Sequence, residues 1–150
     1  KNRYVKNYPL FEETISILKN KYHIKCRTSE VKNMSRIEVA TLYQNADLMI
    51  MTSISEGSPQ VVKEAMACNL PVISTNVGDV AHLLENVKNS AVANKMDAEE
   101  LAFLAYQSLN NQISGIDGRE KIFQMLLNDQ SIAQKIYNIY LSLLSNHQIR

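Results

Sequence analysis

Short apolar runs alternate with stretches of helical periodicity through most of this 150-residue chain. The runs favour buried strands, and the stretches with an apolar residue every three or four positions favour amphipathic helices. Strands are predicted at residues 24–27, 48–51, 72–74 and 91–93, and helices at 8–22, from 35, at 59–68, 80–84, 98–109 and beyond 118, with a break near 128–129. This alternation predicts an α/β fold: a Rossmann-like, doubly wound parallel sheet with helices on both faces. The C-terminal helical tail either closes this domain or packs on a neighbouring one.

Four residues mark the ends of these elements. Ser35 caps a helix and Glu38, three residues later, completes a capping box. Pro59 suits a first helical turn, because its fixed φ fits there and its missing N–H has no partner to lose. Asn69 is a left-handed stop for that helix. These signals place a strand-to-helix corner at residues 52–59.

Composition excludes several classes of protein. The formal net charge of +1 argues against a nucleic-acid partner, which favours a basic surface. No apolar run is long enough to span a bilayer and no signal-peptide pattern opens the chain, so a cytoplasmic location is expected. Cys26 and Cys68 lack metal-ligand spacing and indicate a reduced chain. The chain opens at Lys1 without a methionine, and we expect it to be a piece of a longer protein.

The corner at residues 52–59 is the predicted anion site. It leaves a buried strand and enters a helix, and ligands of doubly wound sheets lie at such places. Free amides of Ser58, Gln60 and Val61, with the helix dipole behind them, suit a phosphate. Gly57 allows a ligand to approach the backbone closely.

Two carboxylates, Glu56 and Glu64, bracket this helix start. Carboxylates accept hydrogen bonds from vicinal hydroxyls, so one suits a ribose and the other a sugar. The alternative remains open on spacing alone: Glu56 stabilises the helix N-terminus and Glu64 is a solvated surface residue.

A series of motifs keeps its order and spacing from about residue 38 to 109. The motifs are Tyr43-Gln44-Asn45-Ala46-Asp47, Ser53, Glu56-Gly57-Ser58-Pro59, Glu64-Ala65-Met66-Ala67, Pro71-Val72-Ile73, Thr75 and Val77-Gly78. Together they resemble the donor domain of the GT-B retaining glycosyltransferases of the family 4 (group 1) type. The resemblance implies two Rossmann-like domains facing across a cleft. Residues 1–150 would be the C-terminal, nucleotide-sugar-binding domain, with the N-terminal acceptor domain and the first strand outside the chain.

The resemblance also implies roles for individual residues. Glu64 would hydrogen-bond the ribose, and Glu56 would lie near the donor sugar. The Gly57-Ser58-Pro59 segment would approach the sugar, and the amides around Val61 and Val62 would approach the diphosphate.

A basic pair near the start of such domains neutralises the departing diphosphate. Lys6 is the positional match for the lysine and Arg3 for the arginine, although their spacing is shorter than the family's. With Glu56 they form the expected catalytic set. The alternative is that both cations are solvated residues of a frayed terminus.

No metal and no cofactor are expected, because the chain lacks an Asp-x-Asp pair and its three histidines are scattered. Stabilisation of the leaving group would then rest on Lys6 and the helix N-terminus. The resemblance implies a retaining, hexosyltransferase-like transfer from a UDP- or GDP-sugar in polysaccharide or glycoconjugate biosynthesis, with the isolated domain inactive. The whole enzyme is expected in the cytoplasm, and peripheral association with the inner face of the membrane is left open. A non-catalytic nucleotide-binding module and a flavodoxin-like domain for another phosphorylated ligand remain alternatives.

Overall fold

The computed structural model describes the backbone of residues 4–147 and the side chains of residues 4–145. After a 3₁₀ turn at Tyr4–Lys6 come two helices, then three strands that are each followed by a helix, and then two further helices. The helices are α1 (Tyr8–Asn20), α2 (Arg36–Gln44), α3 (Gln60–Ala67), α4 (Val80–Leu84), α5 (Ala98–Leu109), α6 (Gly118–Gln124) and α7 (Asp129–His147). The strands are β1 (Met49–Met51), β2 (Val72–Thr75) and β3 (Ala91–Ala93).

The three strands form one parallel sheet in the order β1-β2-β3. Successive residues of a strand face opposite sides, so neighbours on β2 enter different cores. Val72 packs with the cluster that includes Val62 and Met66 of α3. Ile73 packs with the cluster that includes Leu18 of α1 and Leu101 of α5. The predicted α/β class, with a parallel sheet between helices, is confirmed.

The strand predicted at residues 24–27 is wrong. Ile24 and Cys26 are half-buried against the α1/α5 core, as their alternation indicates, but the segment is not part of the sheet. Alternating apolar residues indicate burial, whereas a strand also requires a hydrogen-bonded neighbour. Within the described residues the sheet contains only β1, β2 and β3, and residues 24–27 pair with none of them.

Most predicted helix ends are confirmed, with one shift at the site. Ser35 and Glu38 form the capping box in full. Pro59 is the N-cap of α3 and not a residue of its first turn. Asn69 adopts the predicted left-handed conformation, at φ 56°. In the described part of the chain six of eight non-glycine residues with positive φ are asparagine, since this side chain tolerates that region best. They are Asn7, Asn33, Asn69, Asn86, Asn89 and Asn111.

Helix α7 does not close the domain. Every side chain from 132 to 145 is exposed, including Ile136 and Leu144 at 49% and 65%. Of the two expectations for the tail, packing into this domain is therefore wrong for those residues. No helix in residues 4–147 is both long enough and apolar enough to cross a membrane.

Candidate functional site

The chain's first described residues are tied to the exit of β1. The Thr52 hydroxyl donates to the backbone carbonyl oxygens of Lys6 and Asn7, at 3.0 and 3.2 Å. The Ile54 amide donates to the Val5 carbonyl at 2.8 Å. These bonds hold Lys6 beside the corner that leads into α3, so this lysine is not at a frayed terminus.

Lys6 and Glu56 form an ion pair at this corner. The Lys6 Nζ lies 2.5 Å from Glu56 Oε1, with side-chain exposures of 58% and 19%. Partial burial favours the protonated carboxyl, but the hydrogen bond from Lys6, the nearby Ser53 hydroxyl and the Lys6 charge outweigh it and lower the pKa of Glu56. Glu56 is therefore an ionised hydrogen-bond acceptor at neutral pH.

Ser53 lies directly beneath this pair. Its side chain is buried, at 1% exposure, and its hydroxyl makes no hydrogen bond of normal geometry to the described residues. Its backbone carbonyl accepts a 2.6 Å hydrogen bond from Thr75 at the end of β2. The floor of the site is thus fixed to the neighbouring strand.

The N-terminus of α3 follows three residues after Glu56. Its N-cap, Pro59, provides no side-chain acceptor, so the first amides of the helix are not capped. Gly57 is exposed, with open space where a Cβ would stand. An uncapped N-terminus beside open backbone is a suitable anion site.

The loop after β2 forms the other side of the corner. Gly78, at φ 55°, packs so closely that a Cβ there would lie 1.9 Å from the Gly57 carbonyl oxygen. The Asp79 amide donates to the same oxygen at 3.1 Å, and Ser58 Oγ donates to Asp79 Oδ2 at 2.5 Å. Asp79 is the N-cap residue of α4, but its carboxylate binds Ser58 and makes no capping bond.

The remaining predicted residues either lie apart from this cluster or have a backbone amide that is already hydrogen-bonded. Glu64 is exposed in α3, and within residues 4–145 no hydrogen bond or ion pair joins it to Lys6 or Glu56. The side chain of Val62 is fully buried, and its amide already donates to the Pro59 carbonyl at 3.2 Å. Val61 is half-buried. Arg3 lies outside the described residues.

A buried tyrosine lies near Glu64. The Tyr43 hydroxyl is buried and unpartnered within the described chain. Burial, with the charges of Glu64 and Cys68, raises its pKa to about 12. Glu64 therefore lies within electrostatic range of the Tyr43 hydroxyl.

The candidate site is an open surface. One cavity, with a volume of about 180 Å³, is lined by Asn69, Asn89, Asn111 and Asp117 among others and contains none of the site residues. Several of its lining residues come just before β2 and β3, so the cavity lies at the amino ends of these strands, whereas the Glu56 corner follows the carboxyl end of β1. Among residues 4–145 no three His, Cys, Asp or Glu side chains lie close enough to share a metal ion.

Sequence reasoning selected Lys6, Glu56 and Gly57 but missed Thr52 and the carboxylate bond of Asp79. A threonine directly after a buried strand is the only sequence signal for the first. The second depends on two loops meeting in space, for which the sequence offers no local signal.

Comparison with known proteins identifies the family. Residues 10–122, more than half of the chain, match the family model described as "Glycosyl transferases group 1". N-acetyl-alpha-D-glucosaminyl L-malate synthase of Bacillus anthracis is 27% identical over 84% of this chain and 33% of its own length.

Two solved structures share the fold. Sucrose-phosphate synthase from Thermosynechococcus elongatus superposes with a TM-score of 0.69 at 26% identity, covering 91% of this chain and 35% of that one. Anabaena Alr3699/HepE, solved in complex with UDP-glucose, superposes at 0.55 with 19% identity, covering 88% of this chain and 38% of that one.

These matches agree on the class of protein. The fold resembles GT-B glycosyltransferases, and the chain spans about a third of the length of each protein compared. The family model covers most of α1, the whole sheet and the Glu56 corner. This chain belongs to the group 1 glycosyltransferases.

Proposed function

We propose that this chain is the C-terminal, donor-binding domain of a retaining glycosyltransferase of the family 4 type. It would bind a nucleotide sugar and position it for glycosyl transfer to an acceptor. The observation that carries the proposal is the Lys6–Glu56 pair beside the uncapped N-terminus of α3. The UDP-glucose in the Anabaena structure supports a nucleotide-sugar ligand for the shared fold.

Lys6 supplies the charge that a departing diphosphate requires. Its ammonium is more than half exposed, and exposed ion pairs contribute only about 0.2–1 kcal/mol, so a diphosphate with several negative charges can take Lys6 from Glu56. The free amides of α3 add a fixed positive potential. We propose that this electrostatic stabilisation operates without a metal ion, so that chelators leave activity unchanged.

Glu56 and Glu64 suit the two rings of the donor. Ionised Glu56 accepts hydrogen bonds from sugar hydroxyls when Lys6 turns to the diphosphate, and its charge also favours a developing positive charge on the sugar. Glu64 is exposed on α3 and free to accept the two hydroxyls of a ribose. Retention of configuration is part of the proposal, and NMR of the product anomer tests it.

The open shape of the site supports a second domain. Binding pockets enclose most of a small ligand's surface, whereas Gly57, Ser58 and Gln60 face solvent. We propose that an N-terminal acceptor domain provides the opposite wall, consistent with relatives about three times as long. This chain alone then binds donor but transfers sugar poorly. The glucosaminyl–malate product in the Bacillus relative's name supports glycoconjugate or polysaccharide synthesis as the setting.

The experiment is a binding panel of UDP, GDP, ADP and their sugars on this chain. A ligand at a hundred times its Kd adds about 2.7 kcal/mol, which raises the melting temperature on the order of 5–10 °C. Lys6→Ala should remove most of the rise. Lys21→Ala is the matched control, because Lys21 pairs with Glu99 at the same 2.5 Å distance on the α1/α5 side. Glu64→Ala should weaken the binding of these nucleotides, which contain a ribose, more than the binding of inorganic diphosphate.

Two results would count against the proposal. If no nucleotide shifts the melting temperature, the chain is not a donor-binding domain. If nucleotide binds but Lys6→Ala leaves turnover of the complete enzyme unchanged, the chain is a non-catalytic nucleotide-binding module.

A further inference from the structure

Asp79 holds together the two loops that form the site. Its amide donates to the Gly57 carbonyl at 3.1 Å, and its Oδ2 accepts from Ser58 Oγ at 2.5 Å. Gly78 lies against the same Gly57 carbonyl. Asp79 therefore contacts both residues that lie between Glu56 and the N-cap of α3.

This arrangement departs from the usual use of such a residue. Asp79 is the N-cap of α4, where a carboxylate normally accepts from the helix's own first amides. Here it makes no such bond, and its second oxygen, Oδ1, is buried without a hydrogen-bond partner in the described chain. Residues that serve a functional site are the ones expected to forgo a favourable local bond, here the capping bond of α4.

We propose that Asp79 is a positioning residue for donor binding, which fixes the Gly57–Ser58 backbone through the Ser58 hydroxyl. This inference rests on the proposed function. Ser58 leads directly into Pro59, so fixing its side chain fixes the direction in which its own amide and the start of α3 point. A loop ordered before the donor arrives loses less conformational entropy on binding.

Ser58 then acts through its backbone and does not contact the sugar through its hydroxyl. Its hydroxyl hydrogen is already committed to Asp79, so the group left to meet a ligand is its amide. Substituting either partner should then weaken binding in the same way, because each substitution releases the same loop.

The test is a double-mutant cycle on this chain, with UDP-glucose as the probe and Kd measured by calorimetry well below the lowest melting temperature. Ser58→Ala and Asp79→Ala should each weaken binding about tenfold, the scale expected for a hydrogen bond to a charged group. The double variant should bind no more weakly than the single ones. Ser58→Thr keeps the hydroxyl and should restore affinity.

Asp117→Ala is the matched control, because Asp117 is also an N-cap without a capping bond, on α6. It should leave Kd unchanged. Two results would overturn this inference alone, provided that the wild type binds UDP-glucose. Either Ser58→Ala and Asp79→Ala leave Kd unchanged, or their separate effects on Kd multiply in the double variant. If the wild type binds neither UDP-glucose nor GDP-mannose nor ADP-glucose, the proposed function fails first and this inference with it.

Discussion

The Thr75 hydroxyl donates to the backbone carbonyl of Ser53 at 2.6 Å, joining the ends of β1 and β2 beneath the site. Both residues are buried, at 0% and 1% exposure. The bond lies outside the regular ladder, because β1 ends at Met51. It fixes the point at which the chain turns from the sheet toward Glu56.

Thr75→Val should therefore destabilise the fold and disturb the site. The shape is kept, but a buried carbonyl loses its donor, which costs about 1–3 kcal/mol in the free energy of unfolding. Chemical denaturation measures the loss. Thr14→Val is the control, because buried Thr14 donates to the Leu10 carbonyl four residues back in α1, a bond that adds little to a helix. Equal losses in the two variants would contradict the structural role given to Thr75.

Glu56 should make stability depend on pH in the acid range. Its pKa in the folded state is below the ordinary 4.5, so its stabilising effect is complete above that value and is lost as pH falls through the folded pKa. The difference in unfolding free energy between wild type and Glu56→Gln should be constant near neutrality and shrink below about pH 4.5. Denaturation at a series of pH values tests this.

A second carboxylate provides a comparison. The Ser35 amide and hydroxyl lower the pKa of Glu38 in the α2 capping box, so Glu38→Gln should show the same direction of change. A difference that stays flat for Glu56→Gln down to pH 3, while Glu38→Gln responds, would show that Lys6 and Glu56 do not pair in solution.

Tyr43 should act in the opposite direction at high pH. Its pKa is raised from 10.0 to about 12, so the titration of Tyr43 leaves the free energy of unfolding unchanged below pH 10 and lowers it as pH rises toward 12. Tyr43→Phe should remove that loss. At pH 7 the variant should be no less stable than wild type, because the hydroxyl is buried without a partner. Tyr4→Phe, at an exposed position, is the control. A clear loss at pH 7 would reveal a hydrogen bond to Tyr43.

The two glycines of the site should respond differently to alanine. Gly78→Ala places a methyl group against the Gly57 carbonyl at a positive φ, and we expect a loss of more than about 2 kcal/mol in unfolding free energy. Gly57→Ala meets open space and should leave the melting temperature unchanged. Under the proposed function it should still weaken nucleotide-sugar binding, since the methyl group occupies the ligand's approach. Similar melting temperatures for the two variants would contradict the close packing of the loops.

Much of the fold was predictable because its signals are local. The Ser35–Glu38 box, the stop at Asn69 and the apolar face of α5 each depend on a few neighbouring residues. Residues 24–27 failed for the opposite reason, since a strand depends on a partner that is distant in sequence. The partial burial of Ile24 and Cys26 could be inferred from their alternation, whereas the absence of a pairing strand could not.

The site was predictable in part, for a similar reason. The corner from Glu56 to Pro59 is continuous in sequence, so its position after a strand could be inferred. The approach of Lys6 to Glu56 spans fifty positions and depends on Thr52 holding the backbone of the first residues. The bond from Ser58 to Asp79 also joins two separate loops, so only the folded structure reveals it.

The asparagines with positive φ, which stand where the chain turns, limit how this domain can vary in evolution. At Asn7, Asn69 and Asn111 the backbone is left-handed, and β-branched or bulky residues are disfavoured there by steric repulsion with the chain itself. Glycine and aspartate are then the main permitted replacements, whether the position is exposed to solvent or partly buried. Surface corners of this domain should consequently accept as narrow a range of residues as its interior does, and a deep substitution library would find intolerance at sites that solvent exposure alone would mark as free.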